Sequence, residues 1–243
     1  APATTAAAAE PEADPASICL VLDIGGLGDL SFNDLAYSGY EKAIADFGME
    51  GTFLEPDGGG ENRGELLELC AEAGNDLIIG NGFLFDASMN EVAPNYPDLN
   101  FAITDGVAEP ANVRGMLFDH AEGSFLAGVA AALKSTNNHV GFLGGVDFPL
   151  IHEFEQGFIA GVQAINPDIV IEIGYASVAP DFSGFNDVVK GKEIALAQYE
   201  AGADVIYHAA GGTGTGMFEA AKEVSESTAV SYTHLRAHET VLH

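Results

Sequence analysis

Short apolar runs alternate with amphipathic, helix-length segments along most of the chain, and this rhythm restricts the fold more than any other feature. ICLVLDI, from Ile18, reads as a buried strand that breaks at Gly25-Gly26-Leu27-Gly28-Asp29. Ser31 then opens the helix SFNDLAYSGYEKAIADFG, with Ser31 and Asp34 at the N-cap and N3 spacing of a capping box and Gly48 as the stop. The strand GTFLEP, the helix NRGELLELCAEAG, the strand DLIIGNG, a helix around 87–93 and the strands NFAITDG and VRGMLF follow. HAEGSFLAGVAAALKS is a long helix rich in small residues, expected to pack between two layers. The alternation then resumes with HVGFLGG, IHEFEQGFIAGVQAI, VIEIGYAS, VVKGKEIALAQYEAG, DVIYHAA and a helix from GMFEAAKEVSES. Apolar strands in regular alternation with helices make parallel sheets covered on both faces. The fold class is therefore α/β, in two similar lobes over 18–120 and 121–229.

Composition separates the two ends of the chain from this middle. Residues 1–17 hold no large apolar side chain and read as a disordered linker. The last fourteen residues, 230–243, carry three of the seven histidines and a single acid, and read as a non-native, adapter-derived tail. Across the whole chain 37 Asp and Glu face 8 Lys and Arg, a formal net charge of -29. Because apolar periodicity persists, the acid must coat a folded surface, which points to a salt-adapted source, with an acidic-ligand partner as the alternative. Nucleic acid is excluded as a partner, since phosphate contacts need a Lys/Arg face. No apolar run reaches the roughly 18 residues of a membrane helix. Cys19 and Cys70, each in an apolar segment, are expected to be buried free thiols; a disulfide is allowed but not indicated, and no metal-ligand spacing is present.

Candidate site residues gather where strands end, because open α/β sheets bind ligands beyond the carboxyl ends of their strands. Asp23, Phe32 and Asn33 flank the first glycine turn; Phe32 can offer a stacking face or simply staple the helix start. Asn81 and Gly82 follow the third strand, as crevice residues or as a plain turn. Asp105 ends AITD, as a ligand contact or an ordinary turn Asp. Phe185 precedes a helix in the second lobe as Phe32 does in the first, with Lys190 and Lys192 on an exposed helix face. Gly211 and Gly212 open a glycine-rich turn whose amides could meet ligand oxygens. Neither a dinucleotide fingerprint nor a Walker loop is met, and no nucleophile–base arrangement can be built. His120, His139, His152 and His208 are scattered and read as packing or surface residues. The chain is expected to bind rather than catalyse, without cofactor or metal.

The run Asp23-x-Gly25-Gly26-x-x-Asp29-x-Ser31-Phe32-Asn33, followed in order by IIGNGF, FAITD and GFNDVVKGKEIALAQYEAGADVIYHAAGGTGTG, resembles the basic membrane protein family. Its members are purine-nucleoside-binding lipoproteins that serve ABC importers. The resemblance implies a type I periplasmic-binding-protein fold of two Rossmann-like lobes, here truncated at the C-terminus. It implies a base clamped between Phe32 and Phe185, with Asp23, Asn33 and Asp105 as polar contacts and Gly211-Gly212 in a ligand-contacting loop. Two further family contacts, an Asp and a Lys, belong to a carboxyl-terminal segment beyond this chain. The implied protein is a monomer outside the cytoplasm, held to the membrane only by a lipid anchor outside this chain and partnered by a permease. A sensory receptor of the same fold is the alternative. Closure is expected as a hinge motion near residues 106–125.

Overall fold

A computed structural model describes residues 15–228 and 233–236. In the first lobe the chain runs β1 (Ser17–Val21), α1 (Phe32–Phe47), β2 (Glu50–Leu54), α2 (Arg63–Glu72), β3 (Leu77–Gly80), α3 (Asp86–Val92), β4 (Asn100–Thr104) and β5 (Val113–Met116). All pairings are parallel, in the order β2-β1-β3-β4-β5. The second lobe runs α4 (His120–Lys134), β6 (His139–Asp147), α5 (Pro149–Ile165), β7 (Val170–Val178), α6 (Val188–Ala201), β8 (Val205–Ala209), α7 (Gly214–Thr228) and β9 (Thr233–Arg236). Its sheet is also parallel, in the order β7-β6-β8-β9. Chain order reverses beside β1 in one sheet and beside β6 in the other, which opens a crevice at each switch point.

The period-2 alternation of the strands divides the core into layers. Cys19 and Val21 face α2 and α3 with Leu67, Phe85, Met89 and Phe101, whereas Ile18, Leu20 and Leu22 face α1 and Tyr40. In the second lobe Phe142 and Tyr207 meet Phe158 of α5, and Leu143 and Ile206 meet Ala195 and Met217 of α6 and α7. The central strands β1, β6 and β8 are buried on both faces, as their unbroken apolar runs require, whereas the edge strands β2 and β7 are partly exposed.

Several expectations need correction. Cys19 and Cys70 form a disulfide with Cα atoms 5.8 Å apart. Strand period and helix period turn both cysteines to the same buried layer, and only the tertiary fold brings them face to face. Ser31 makes no side-chain cap bond at α1. Asp29 takes that role, accepting from the Ser31, Asn33 and Asp34 amides at 2.8, 2.9 and 3.2 Å. Asp34 instead reaches back to the Gly28 and Leu30 amides.

Helix α4 packs on α5 and β8 within the second lobe, and Phe125, Leu126 and Leu133 on its other side are exposed, so it is not sandwiched between layers. Its small residues serve the contact with α5. A Cβ on Gly128 would lie 2.1 Å from the Phe158 carbonyl oxygen, and one on Gly161 2.0 Å from that of Phe125. β1 begins at Ser17, the last residue of the expected linker, whose residues 1–14 lie outside the described residues. Of the tail set apart by composition, residues 233–236 pair with β8.

Candidate functional site

The carboxyl ends of the two sheets face one another across a cavity that encloses about 610 Å³ of atom-free space, part of it open to solvent. The first lobe contributes Asp23, Ile24, Asp29, Phe32 and Asn33 after β1, Gly82 and Phe83 after β3, and Asp105 after β4. The second contributes Leu150, Ile151 and Phe154 of α5, Phe185 after β7, and Ala209, Ala210 and Gly211 at the end of β8. Aromatic and aliphatic groups dominate, with a few carboxylates set among them, as in small-molecule sites. Seven of the nine residues singled out from sequence line this one cavity: Asp23, Phe32, Asn33, Gly82, Asp105, Phe185 and Gly211.

Asn81 and Gly212 do not line it. The Asn81 amide donates to Asn33 Oδ1 at 3.2 Å, and Asn33 Oδ1 also accepts from the Asp23 amide at 2.9 Å. Asn33 Nδ2 donates to the Ile24 carbonyl oxygen at 3.1 Å. The two asparagines thus tie the loops after β1 and β3 together, with the Asn33 side chain engaged through both its oxygen and its nitrogen. Gly212 lies behind the wall, where its Cβ would meet Asn186 Oδ1 at 2.8 Å.

Asp23 is 7% exposed and ion-paired to Arg63, the first residue of α2, whose Nε donates to Asp23 Oδ1 at 2.9 Å. Burial pushes the Asp23 carboxyl above the ordinary carboxylate range, and the guanidinium opposes that shift. Arg63 also donates to the Gly60 carbonyl oxygen at 2.8 Å and lies over the Phe85 ring, 5.6 Å from its centroid. Asp23 Oδ2 accepts no hydrogen bond among the described residues. It borders Gly82, whose φ of +123° suits glycine and whose Cβ would sit 2.8 Å from Oδ2 and 3.4 Å from the Phe32 ring. The missing side chain leaves the space between acid and ring open. Asp29 has its carboxyl raised by burial, against which its three amide donors work.

Asp105 follows β4 in the left-handed region, at φ +57°, unusual for a residue with a side chain. Its Oδ1 meets His120 Nε2 at 2.9 Å, and His120 Nδ1 meets Glu153 Oε2 of α5 at 3.1 Å. Burial works to lower the His120 pKa, but the hydrogen bonds and charges of Asp105 and Glu153 outweigh it and hold the imidazole above its ordinary value.

On another side of the cavity the lobes touch through aromatic rings. Phe83 stacks on Phe148 with centroids 4.9 Å apart and planes 13° apart, and meets Phe182 and Phe185 edge-on at 5.8 and 6.4 Å. Sequence reasoning missed Arg63, His120 and Phe154, whereas Phe83 belongs to the Gly80-Asn81-Gly82-Phe83 turn that the sequence singles out. Arg63 alone carried a signal, as a rare arginine opening a helix in an acidic chain. Lys190 and Lys192 are confined to the helix surface, with Lys192 paired to Glu223 on α7 at 3.0 Å.

The family model described as "ABC transporter substrate-binding protein PnrA-like" (Bmp) matches residues 17–235. The chain belongs to this family. Among Bmp relatives, it is 38% identical to the CD4+ T-cell-stimulating antigen of Listeria monocytogenes, over 86% of this chain and 58% of that protein. It is 35% identical to the ABC transporter nucleoside-binding protein BmpA of Lactococcus lactis, over 86% of this chain and 59% of that one. A solute-binding protein of an Aeropyrum pernix ABC transporter system superposes with a TM-score of 0.78 at 31% identity, over 90% of this chain and 61% of the other. The Bmp chain described here therefore spans about three fifths of the length of the relatives it matches. Its two-lobed α/β architecture is that of periplasmic-binding-protein-like solute receptors. Among the described residues no helix is long and apolar enough to cross a membrane.

Proposed function

We propose that this chain is the receptor part of an ABC importer and binds a neutral purine nucleoside between its lobes, with Phe32 and Phe185 on the base and Asp23 and Asp105 on the sugar and ring N–H groups. The observation that carries the reading is that these two rings, one from each lobe, border the same cavity as the two carboxylates. Stacking on an aromatic face contributes about 1–3 kcal/mol per base and tolerates different bases. Carboxylates only accept hydrogen bonds, so they suit hydroxyl and N–H donors and repel a phosphate at close range. Among the described residues Arg63 is the cation paired with Asp23, and it is already held there, which favours nucleoside over nucleotide. The Lactococcus relative is named as a nucleoside-binding protein, which supports the same ligand class.

The importer role carries further consequences: work outside the cytoplasm, a lipid anchor beyond this chain, a permease partner, a monomeric receptor closing about a hinge, and no catalysis. Calorimetric titration with inosine, adenosine and the corresponding monophosphates tests the reading. Nucleosides are expected to bind at micromolar concentration or tighter and monophosphates at least tenfold more weakly. Phe32→Ala should weaken nucleoside binding about 5- to 150-fold, the equivalent of the stacking contribution. Equal or tighter binding of the monophosphates would overturn it.

A further inference from the structure

His120 is the first residue of α4, where the chain passes from the first lobe to the second, and its ring lies between acids of both. Nε2 engages Asp105 of the first lobe, a cavity residue, and Nδ1 engages Glu153 of α5. The next residue of α5, Phe154, lines the cavity and packs on the imidazole with ring centers 4.6 Å apart. The His120 and Asp105 side chains are 7% and 6% exposed, so bulk water does little to screen their contact. Asp119 ahead of the ring is occupied in capping α4 through the Glu122 amide. The charged groups facing the imidazole are thus Asp105 and Glu153.

We propose that His120 is a positioning residue for the cleft: protonated, it bridges Asp105 and Glu153, aims the free oxygen of Asp105 into the cavity and ties the first lobe to α5, so that ligand-driven closure takes up a proton at this ring. The ligand half of this inference rests on the nucleoside reading; the bridge does not. Both ring nitrogens meet carboxylate oxygens, and only the imidazolium can donate to both at once. A neutral ring must leave one carboxylate without its donor, and one of the two contacts crosses between lobes. The bridge is intact below the raised pKa and is lost as pH rises through it. Because the Asp105 contact crosses between the lobes, closure strengthens the bridge and affinity falls with rising pH.

Two measurements test this. The first is an NMR pH titration of the imidazole protons in the ligand-free protein, with the His120 signal assigned from its absence in His120→Gln. His120 is expected to titrate above the ordinary value of about 6.5, and lower in both Asp105→Asn and Glu153→Gln. A ring that titrates near the ordinary value and ignores both substitutions overturns the bridge. The second is inosine binding by calorimetry between pH 5.5 and 8.5, in two buffers of different ionisation heat. The wild type is expected to take up a fraction of a proton per ligand and to weaken several-fold toward high pH, whereas His120→Gln binds more weakly and without pH dependence. A wild-type affinity that is flat with pH, or matched by His120→Gln, overturns the coupling. If inosine fails to bind at every pH, the nucleoside reading falls and the titration alone decides the bridge.

Discussion

Asp23 shows how one residue's neighbours decide what it can do. A carboxylate this buried is tolerable because Arg63 meets one oxygen, leaving the other toward the cavity beside Gly82. Breaking such a pair from one side leaves an uncompensated buried charge, whereas removing both charges does not. Arg63→Met keeps most of the side chain's apolar stem and removes only the guanidinium. It should lower folding stability by about 3 kcal/mol, read from urea denaturation at high salt. Adding Asp23→Asn to it should recover a substantial part of that loss. If the single variant unfolds at the wild-type urea concentration, Arg63 is not the counter-charge that keeps Asp23 ionised inside the fold.

The same logic operates between elements, where β1 and α2 are joined by the Cys19–Cys70 bond inside a buried apolar layer. The bond closes a loop with a sequence separation of 51, and restricting an unfolded chain over such a length is worth about 2–4 kcal/mol. Reduction under unfolding conditions, or the Cys19→Ala/Cys70→Ala pair, should therefore shift the guanidinium midpoint down by a matching amount. Coincident unfolding curves with and without reductant would count against the bond. Element type and order were legible from sequence because strands buried on both faces leave unbroken apolar runs and the helices carry their own stops, such as Gly48. Cross-element chemistry was not. The cysteine pairing, the Arg63–Asp23 contact and the His120 bridge each join residues separated by 15 to 51 positions, which no local pattern encodes. The Asp29 cap was missed for the opposite reason: Ser31 satisfied the local motif, and the turn geometry gave the helix amides to Asp29 instead. Strand ends were the best guide to the cleft, since the topology carries Asp23, Gly82, Asp105 and Gly211 there together.

At the scale of the molecule the acid excess is the unresolved force. Of the few cations, Lys42 pairs with Asp46, Lys190 with Glu193, and Lys192 with Glu219 and Glu223, all on the surface, while Arg63 is consumed by Asp23. A formal net charge of -29 therefore acts mainly on itself. Unfolding spreads those charges apart, so repulsion favours the unfolded chain wherever it is unscreened. The screening length is about 8 Å at 0.15 M salt and roughly 3 Å at 1 M, so added salt progressively screens repulsion between surface carboxylates. Relieving about 2 kcal/mol of repulsion would raise Tm by roughly 4–8 °C in a chain of this size. Thermal unfolding in potassium chloride should accordingly climb steeply from 0.1 to 1 M and then level off, because screening saturates once the Debye length is shorter than the charge spacing. Solute exclusion would instead give a rise that continues in proportion to concentration. A Tm that stays constant or falls between 0.1 and 1 M would show that the acidic coat is not held together by salt, and would remove the case for a salt-adapted surface.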